Sequence, residues 1–240
     1  MCTLTWKHEE ADGGYHVFFN RDERKTRLPE FGPSVIEENG VRMIAPRDAD
    51  HGGTWLVVND RGVTFALLNH YDLSSKRPAP ERPLSRGRLP LQLGSEEGAS
   101  LESMTLDRYR PFHLVRVAPG EATRHWIWDG SSLHASRLSE NDRPLTTSSF
   151  DSGRAIALRD QAFKDLGPDP DVKALMAFHH GGSVHGAAYG VLMKRDDAQT
   201  MSISHIHVTP EEIMVHYEPQ AREPGDLLET TCTLMPRAFS

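Results

Sequence analysis

The stretch Tyr15-His16-Val17-Phe18-Phe19-Asn20-Arg21-Asp22-Glu23 decides how this chain is read. It follows the turn signal Asp12-Gly13-Gly14. Its first five residues are aromatic or β-branched in the main, so they predict a strand. Four polar residues then follow without a break. Upstream, Thr3 to Trp6 is short and apolar-leaning and predicts a first strand. Pairing the two strands brings Cys2 beside Asn20, Arg21, Asp22 and Glu23. A guanidinium near a thiol favours the thiolate. A carboxylate there can orient an α-amine. A charged turn is the alternative reading of the same four residues.

Cys2 carries more weight in this setting. Methionine before a small residue is commonly trimmed, which would leave Cys2 with a free α-amine. The amine has a reference pKa of about 7.7–8.0 and the thiol one near ~8.5. A neutral amine can accept the thiol proton, which is the N-terminal form of a nucleophile–base pair. Further on, Thr54 to Val58 and Val63 to Asn69 predict a hairpin around Asn59-Asp60-Arg61-Gly62. Gly52-Gly53-Thr54-Trp55-Leu56 opens it and Leu68-Asn69-His70 closes it. Asn69 ends an apolar strand, where its amide can either cap a turn or stabilise an oxyanion.

The remaining chain alternates strands and helices in blocks. Lys76 to Pro83 holds three prolines and predicts a surface loop. Ser85 to Leu93 and Glu96 to Leu106 carry helix-like spacing. Phe112 to Val117, Thr123 to Trp128 and Leu133 to Leu138 predict strands. Asp151 to Leu166 predicts a helix with Ile156, Leu158, Ala162, Phe163 and Leu166 as its buried stripe. Asp171 to Phe178 predicts a second helix. Ala187 to Met193 and Gln199 to Val208 flank the turn Arg195-Asp196-Asp197, and Ile213 to Tyr217 is a last strand. This order suits a layered α+β fold rather than a βαβ sheet, and residues 1–240 are expected to form one domain.

Composition narrows the function. The formal net charge is −7 and no Lys/Arg-rich run appears, so no nucleic-acid partner is expected. The longest apolar run, Ala187 to Met193, is too short to span a bilayer. Lys7, Glu9 and Glu10 interrupt the region where a signal peptide would run apolar. Only Cys2 and Cys232 are present, which fits a reducing compartment. A cytoplasmic location is therefore expected, and nothing indicates an oligomeric state. Cys232 is expected as a half-buried strand thiol. Among the 13 histidines, His205 and His207 share a strand face and can bind a metal together. No His-x-x-Glu-His or Cys-x-x-Cys pattern accompanies them. The histidines are read as structural or solvent-facing, with no metal site and no required cofactor.

Taken together, Met1-Cys2-Thr3-Leu4, Asn20-Arg21-Asp22-Glu23 and the Gly-Gly-Thr-Trp-Leu segment leading to Leu68-Asn69 resemble the NRDE family. Its eukaryotic members form the transport and Golgi organisation protein 2 group. Ser85-Arg86-Gly87, Tyr109-Arg110-Pro111-Phe112 and the segment from Met193 to Ser202 resemble it too. The resemblance implies a four-layer αββα sandwich of the N-terminal-nucleophile hydrolase type. More distantly it implies similarity to bile-salt hydrolases and penicillin V acylases, which cleave non-peptide amides with an N-terminal cysteine. On that basis Cys2 matches the nucleophile and Asn69 an oxyanion-hole asparagine. Arg21 and Asp22 fall in the region of the flanking Arg and Asp. Asn20, Glu23, Thr147 and Arg195 are the candidate substrate contacts. Thr147 stands where many relatives have a second asparagine. The alternative carried by the resemblance is a non-catalytic carrier of haem or an acyl lipid in the same pocket.

Overall fold

A computed structural model describes residues 2–11, 13–71, 80–223 and 225–238. In chain order the strands are β1 (Cys2–His8), β2 (Tyr15–Arg24), β3 (Phe31–Glu38), β4 (Val41–Arg47), β5 (Leu56–Asn59) and β6 (Thr64–Asn69). Helix α1 (Arg88–Ser95) follows, then β7 (Phe112–Val117), β8 (Thr123–Trp128), β9 (Leu133–Leu138) and β10 (Leu145–Thr147). Helices α2 (Ser152–Lys164) and α3 (Val172–His179) come next, then β11 (Ala198–Val208), β12 (Glu212–Pro219) and β13 (Thr231–Pro236).

The strands form two antiparallel sheets. The six-stranded sheet has the order β10-β1-β2-β11-β12-β13, and the seven-stranded sheet runs β3 to β9 in sequence order. Alternation along each strand sends side chains to opposite faces. Leu4, Trp6, Val17 and Phe19 of the first sheet pack in one core with Leu56, Val58, Ala66, Leu68 and Val115 of the second. Behind the second sheet, Leu89, Leu91 and Leu93 of α1 cover Met43, Val57 and Phe65. Behind the first, Phe163 of α2 and Leu175 and Phe178 of α3 cover Phe18. Strand β2 is thus covered on both faces, which explains why its residues from Tyr15 to Asp22 are all buried.

Several expectations need correcting. The strand expected over Tyr15 to Phe19 runs on through residues 20–23 to Arg24, which rules out the alternative of a charged turn. In α2 the buried residues are Ala155, Arg159 and Phe163. Ala162 is exposed, and Ile156 and Leu158 are only half-buried. The spacing of four selects one face, and a charged residue sits in the middle of it. Ala187–Tyr189 is a 3-10 turn rather than a strand. There the Leu192 N–H is bonded to the Gly181 carbonyl and the Met193 N–H to the Thr200 hydroxyl, so the backbone serves the neighbouring loop and strand instead. Glu96 to Leu106 contains only the short 3-10 turn Leu101–Ser103. Pro90 is accommodated in the first turn of α1, where no intrahelical N–H is needed. Cys232 lies exposed on β13, a sheet edge, rather than half-buried. The first half of the proline-rich loop, residues 76–79, lies outside the described residues.

Candidate active site

Pairing of β1 with β2 sets Cys2 opposite Arg21, and pairing with β10 sets it opposite Thr147. Cys2 therefore lies on an interior strand at the end of the inter-sheet core. It forms part of a cavity of about 300 Å³. Arg21, Asp22, Glu23 and Asn69 line the same cavity. So do Gly53, Thr54, Trp55, Arg86, Gly87 and Arg110. Motifs scattered over more than a hundred residues of sequence converge here.

The glycines explain part of that convergence. The Thr54 N–H donates to the Gly87 carbonyl at 2.9 Å. A Cβ on Gly53 would stand 2.7 Å from the Gly87 carbonyl carbon, and one on Gly87 2.9 Å from Thr54 backbone atoms. Two backbones touch directly and form one wall of the cavity.

Charge organises the rest. The Arg21 guanidinium stacks over Trp55 at 4.3 Å. It donates to Glu30 at 2.8 Å and lies 3.5 Å from Asp48 and 3.7 Å from Glu23. Asp48 is also bonded to Arg27. Burial pushes the Asp48 carboxyl up, but Arg27 and the His51 N–H outweigh it and hold the group below its usual range. Asp22 turns the other way. It accepts from the Thr200 hydroxyl at 2.6 Å and from Arg159 at 3.3 Å. Burial pushes its carboxyl up against the pull of Arg159. Burial also pushes the Cys2 thiol up, Asp22 adds to this, and Arg21 opposes it. Arg86, which donates to the Pro111 carbonyl, is lowered by burial, and neighbouring Arg110 adds to that effect.

Asn69 donates its side-chain N–H to Tyr71 Oη at 2.9 Å. The Thr147 hydroxyl and the Trp55 indole N–H are buried without a hydrogen-bond partner among the described residues. Asn20 and Arg195 are not brought to the cavity, and Thr147, although opposite Cys2 in the sheet, is not among its lining residues. Asn20 faces α3, donates to the His179 and Val191 carbonyls, and accepts at Oδ1 from His179. Arg195 pairs with Asp197 and stacks on Phe150. Arg159 was missed by the sequence reading, although its spacing of four from Ala155 and Phe163 placed it on the buried face of α2. Arg86 and Arg110 were visible as parts of short motifs, but their cavity positions were not.

This is the fold of the N-terminal-nucleophile hydrolases, with a cysteine at the cavity. The chain belongs to the Transport and Golgi organisation 2 family, whose model matches residues 1–150. No curated protein sequence matches it. Its fold is similar to that of penicillin V acylase from Agrobacterium tumefaciens (TM-score 0.56, 13% identity, 98% of this chain and 86% of the other). It is also similar to a C2A mutant of conjugated bile acid hydrolase from Clostridium perfringens (TM-score 0.50, 12% identity, 100% and 97%). A third similar structure is the Caenorhabditis elegans N-acylethanolamine-hydrolyzing acid amidase ortholog (TM-score 0.55, 12% identity, 86% and 92%). No helix among the described residues is long and apolar enough to cross a membrane.

Proposed function

We propose that this protein is an N-terminal cysteine hydrolase of non-peptide amides. The observation that carries the reading is the position of Cys2, on a central strand at a charged cavity shared with Arg21, Asp22 and Asn69. In this reading the layers form an αββα sandwich and the chain works as one domain in the cytoplasm. Removal of Met1 exposes the Cys2 amine. Cys2 Sγ then attacks the amide carbon, forming the S–C bond while the thiol proton passes to the α-amine. Asn69 donates to the oxyanion, and the Thr147 hydroxyl, opposite Cys2 in the β1–β10 register and unpartnered among the described residues, serves as the second donor in this reading. Collapse breaks the C–N bond and the α-amine gives its proton to the leaving amine. Water, deprotonated by the α-amine, then cleaves the thioester to a carboxylic acid and restores the thiol.

The charged lining favours this reading over carriage of an apolar acyl lipid or haem. Arg86 and Arg110 form no ion pair among the described residues, which suits an anionic group on the substrate. The test begins with the intact mass of natively produced protein. The mass is expected to lack Met1. Incubation with a panel of acyl-amides should then give product and a transient acyl adduct on the chain, and Cys2→Ser should give neither. A retained Met1, or turnover unaffected by Cys2→Ser, refutes the mechanism.

A further inference from the structure

The strands that hold Cys2 and Arg21 at one end carry a second cluster at the other. His16 on β2 lies opposite His207 on β11 in the antiparallel register. Their imidazoles stack with centroids 4.1 Å apart and planes 13° from parallel. Glu9, just after β1, reaches both rings. One carboxylate oxygen lies 3.0 Å from His16 Nε2 and the other 3.5 Å from His207 Nε2. The His207 Nε2 atom is buried and has no hydrogen bond among the described residues. One ligand atom from each of the three residues falls within 4.8 Å of the others.

We propose that Glu9, His16 and His207 form a binding site for a divalent transition metal, with zinc the best match. Two imidazole nitrogens and one carboxylate oxygen make a three-residue zinc set that leaves a position for water. Calcium and magnesium prefer all-oxygen shells and are poorly matched. An outer partner is already present: His16 Nδ1 is 2.9 Å from His205 Nε2. Such contacts set the tautomer and orientation of a ligating ring. Ligation asks the two stacked rings to turn Nε2 toward a common point, a rotation open to His207 and Glu9, whose side chains are partly exposed. Sequence spacing offers His205 with His207 as a possible pair, set aside there for a structural role; here the pair is cross-strand, His16 with His207, with His205 as support. From His16 to Arg21 is roughly 17 Å along the strand, so the ion does not reach the cavity. It ties the turn after β1 to β11 and so holds the far end of the strand that bears Cys2.

The test uses the full-length, metal-stripped chain titrated with Zn²⁺ by calorimetry, with thermal unfolding followed in parallel. One equivalent is expected to bind and to raise Tm, because an ion that binds only the folded state stabilises it. His207→Ala and Glu9→Gln, both at partly exposed positions, should each weaken uptake more than tenfold and remove the Tm rise. His205→Phe should weaken it about 10–100-fold through His16. His51→Ala, at the separate Asp48, Asp50 and His51 cluster, should leave it unchanged. A wild-type chain that takes up no Zn²⁺, or His207→Ala and Glu9→Gln chains that bind it as tightly as wild type, overturns the proposal.

Discussion

Arg159 Nη2 lies 3.3 Å from Asp22 Oδ2, and both side chains are sealed from solvent. Arg159 Nη1 also donates to Thr3 Oγ1 at 2.7 Å. One guanidinium therefore fastens α2 to β1 and β2 directly behind Cys2 and Arg21. Removing one member of such a pair leaves the other charge buried and uncompensated, at a cost of about 3–5 kcal/mol. Arg159→Met is expected to lower the urea midpoint by a corresponding amount. The double variant Asp22→Asn/Arg159→Met should recover part of the loss, because neither charge then remains. Equal midpoints for wild type and Arg159→Met would contradict this account.

The Gly53–Gly87 contact gives a second expectation, with an internal control of opposite sign. A methyl on Gly53 meets backbone, which cannot rotate away. Gly53→Ala should therefore destabilise by about 1–3 kcal/mol, the usual range for overpacking, and should distort the cavity wall. Gly153 lies in α2, and a Cβ added there would meet nothing within 4 Å. Gly153→Ala should stabilise by up to ~1 kcal/mol through helix propensity. Thermal unfolding of both variants checks the pair, and shifts of the same sign would sink the argument.

Buried histidines predict acid sensitivity. His179 Nδ1–H donates to Asn20 Oδ1 at 2.7 Å, and its Nε2 accepts from the Thr5 hydroxyl at 2.8 Å. Both ring nitrogens are satisfied in the neutral form. Burial pushes the ring down to about 3, and neighbouring His180 and His205 add to it. Below the unfolded value near ~6.5, the unfolded chain binds a proton that the folded chain does not. The stabilisation is thus complete above that value and is lost as pH falls toward about 3. The slope is at most ~1.4 kcal/mol per pH unit for this one group. His113, His205 and His125, held by burial near 3, 3 and 4, act in the same direction. Urea midpoints measured between neutral and mildly acidic pH should decline, and His179→Gln should decline less steeply. Identical slopes would remove His179 from the explanation.

How much of this was readable from sequence depends on the range of the interactions involved. The bounds of β7, β8 and β9 match their sequence reading, because each is a short β-rich run closed by local turn residues. The approach of Cys2 to Arg21 followed from one hairpin. The buried face of α2 did not follow, because Arg159 is buried only by virtue of Asp22, 137 positions away. Asn20 and Arg21, neighbours in one polar run, were both site candidates in the sequence. Once the run proved to be strand, alternation sent Arg21 to the cavity and Asn20 to α3. The metal set was hidden for a similar reason. Glu9 meets His16 across the β1–β2 hairpin, but His207 joins them only through the register of β2 against β11.

Asn69 and Thr147 make separable predictions about the proposed chemistry. Asn69 ends β6 with its amide at the cavity, held by Tyr71 Oη. A donor aimed at the oxyanion acts more strongly on the transition state than on the bound substrate. Asn69→Ala should therefore lower kcat by about 10²–10³ with a much smaller change in KM. Thr147 sits opposite Cys2, and its hydroxyl has no hydrogen-bond partner among the described residues. Thr147→Val keeps the shape and removes one neutral hydrogen bond of about 1 kcal/mol, so a several-fold fall in kcat is expected. Steady-state kinetics on an amide that the wild type hydrolyses separates the possibilities. A rise in KM with kcat intact would make Asn69 a ground-state binding group instead. An unchanged Thr147→Val would leave Asn69 and backbone N–H groups as the whole of the oxyanion site.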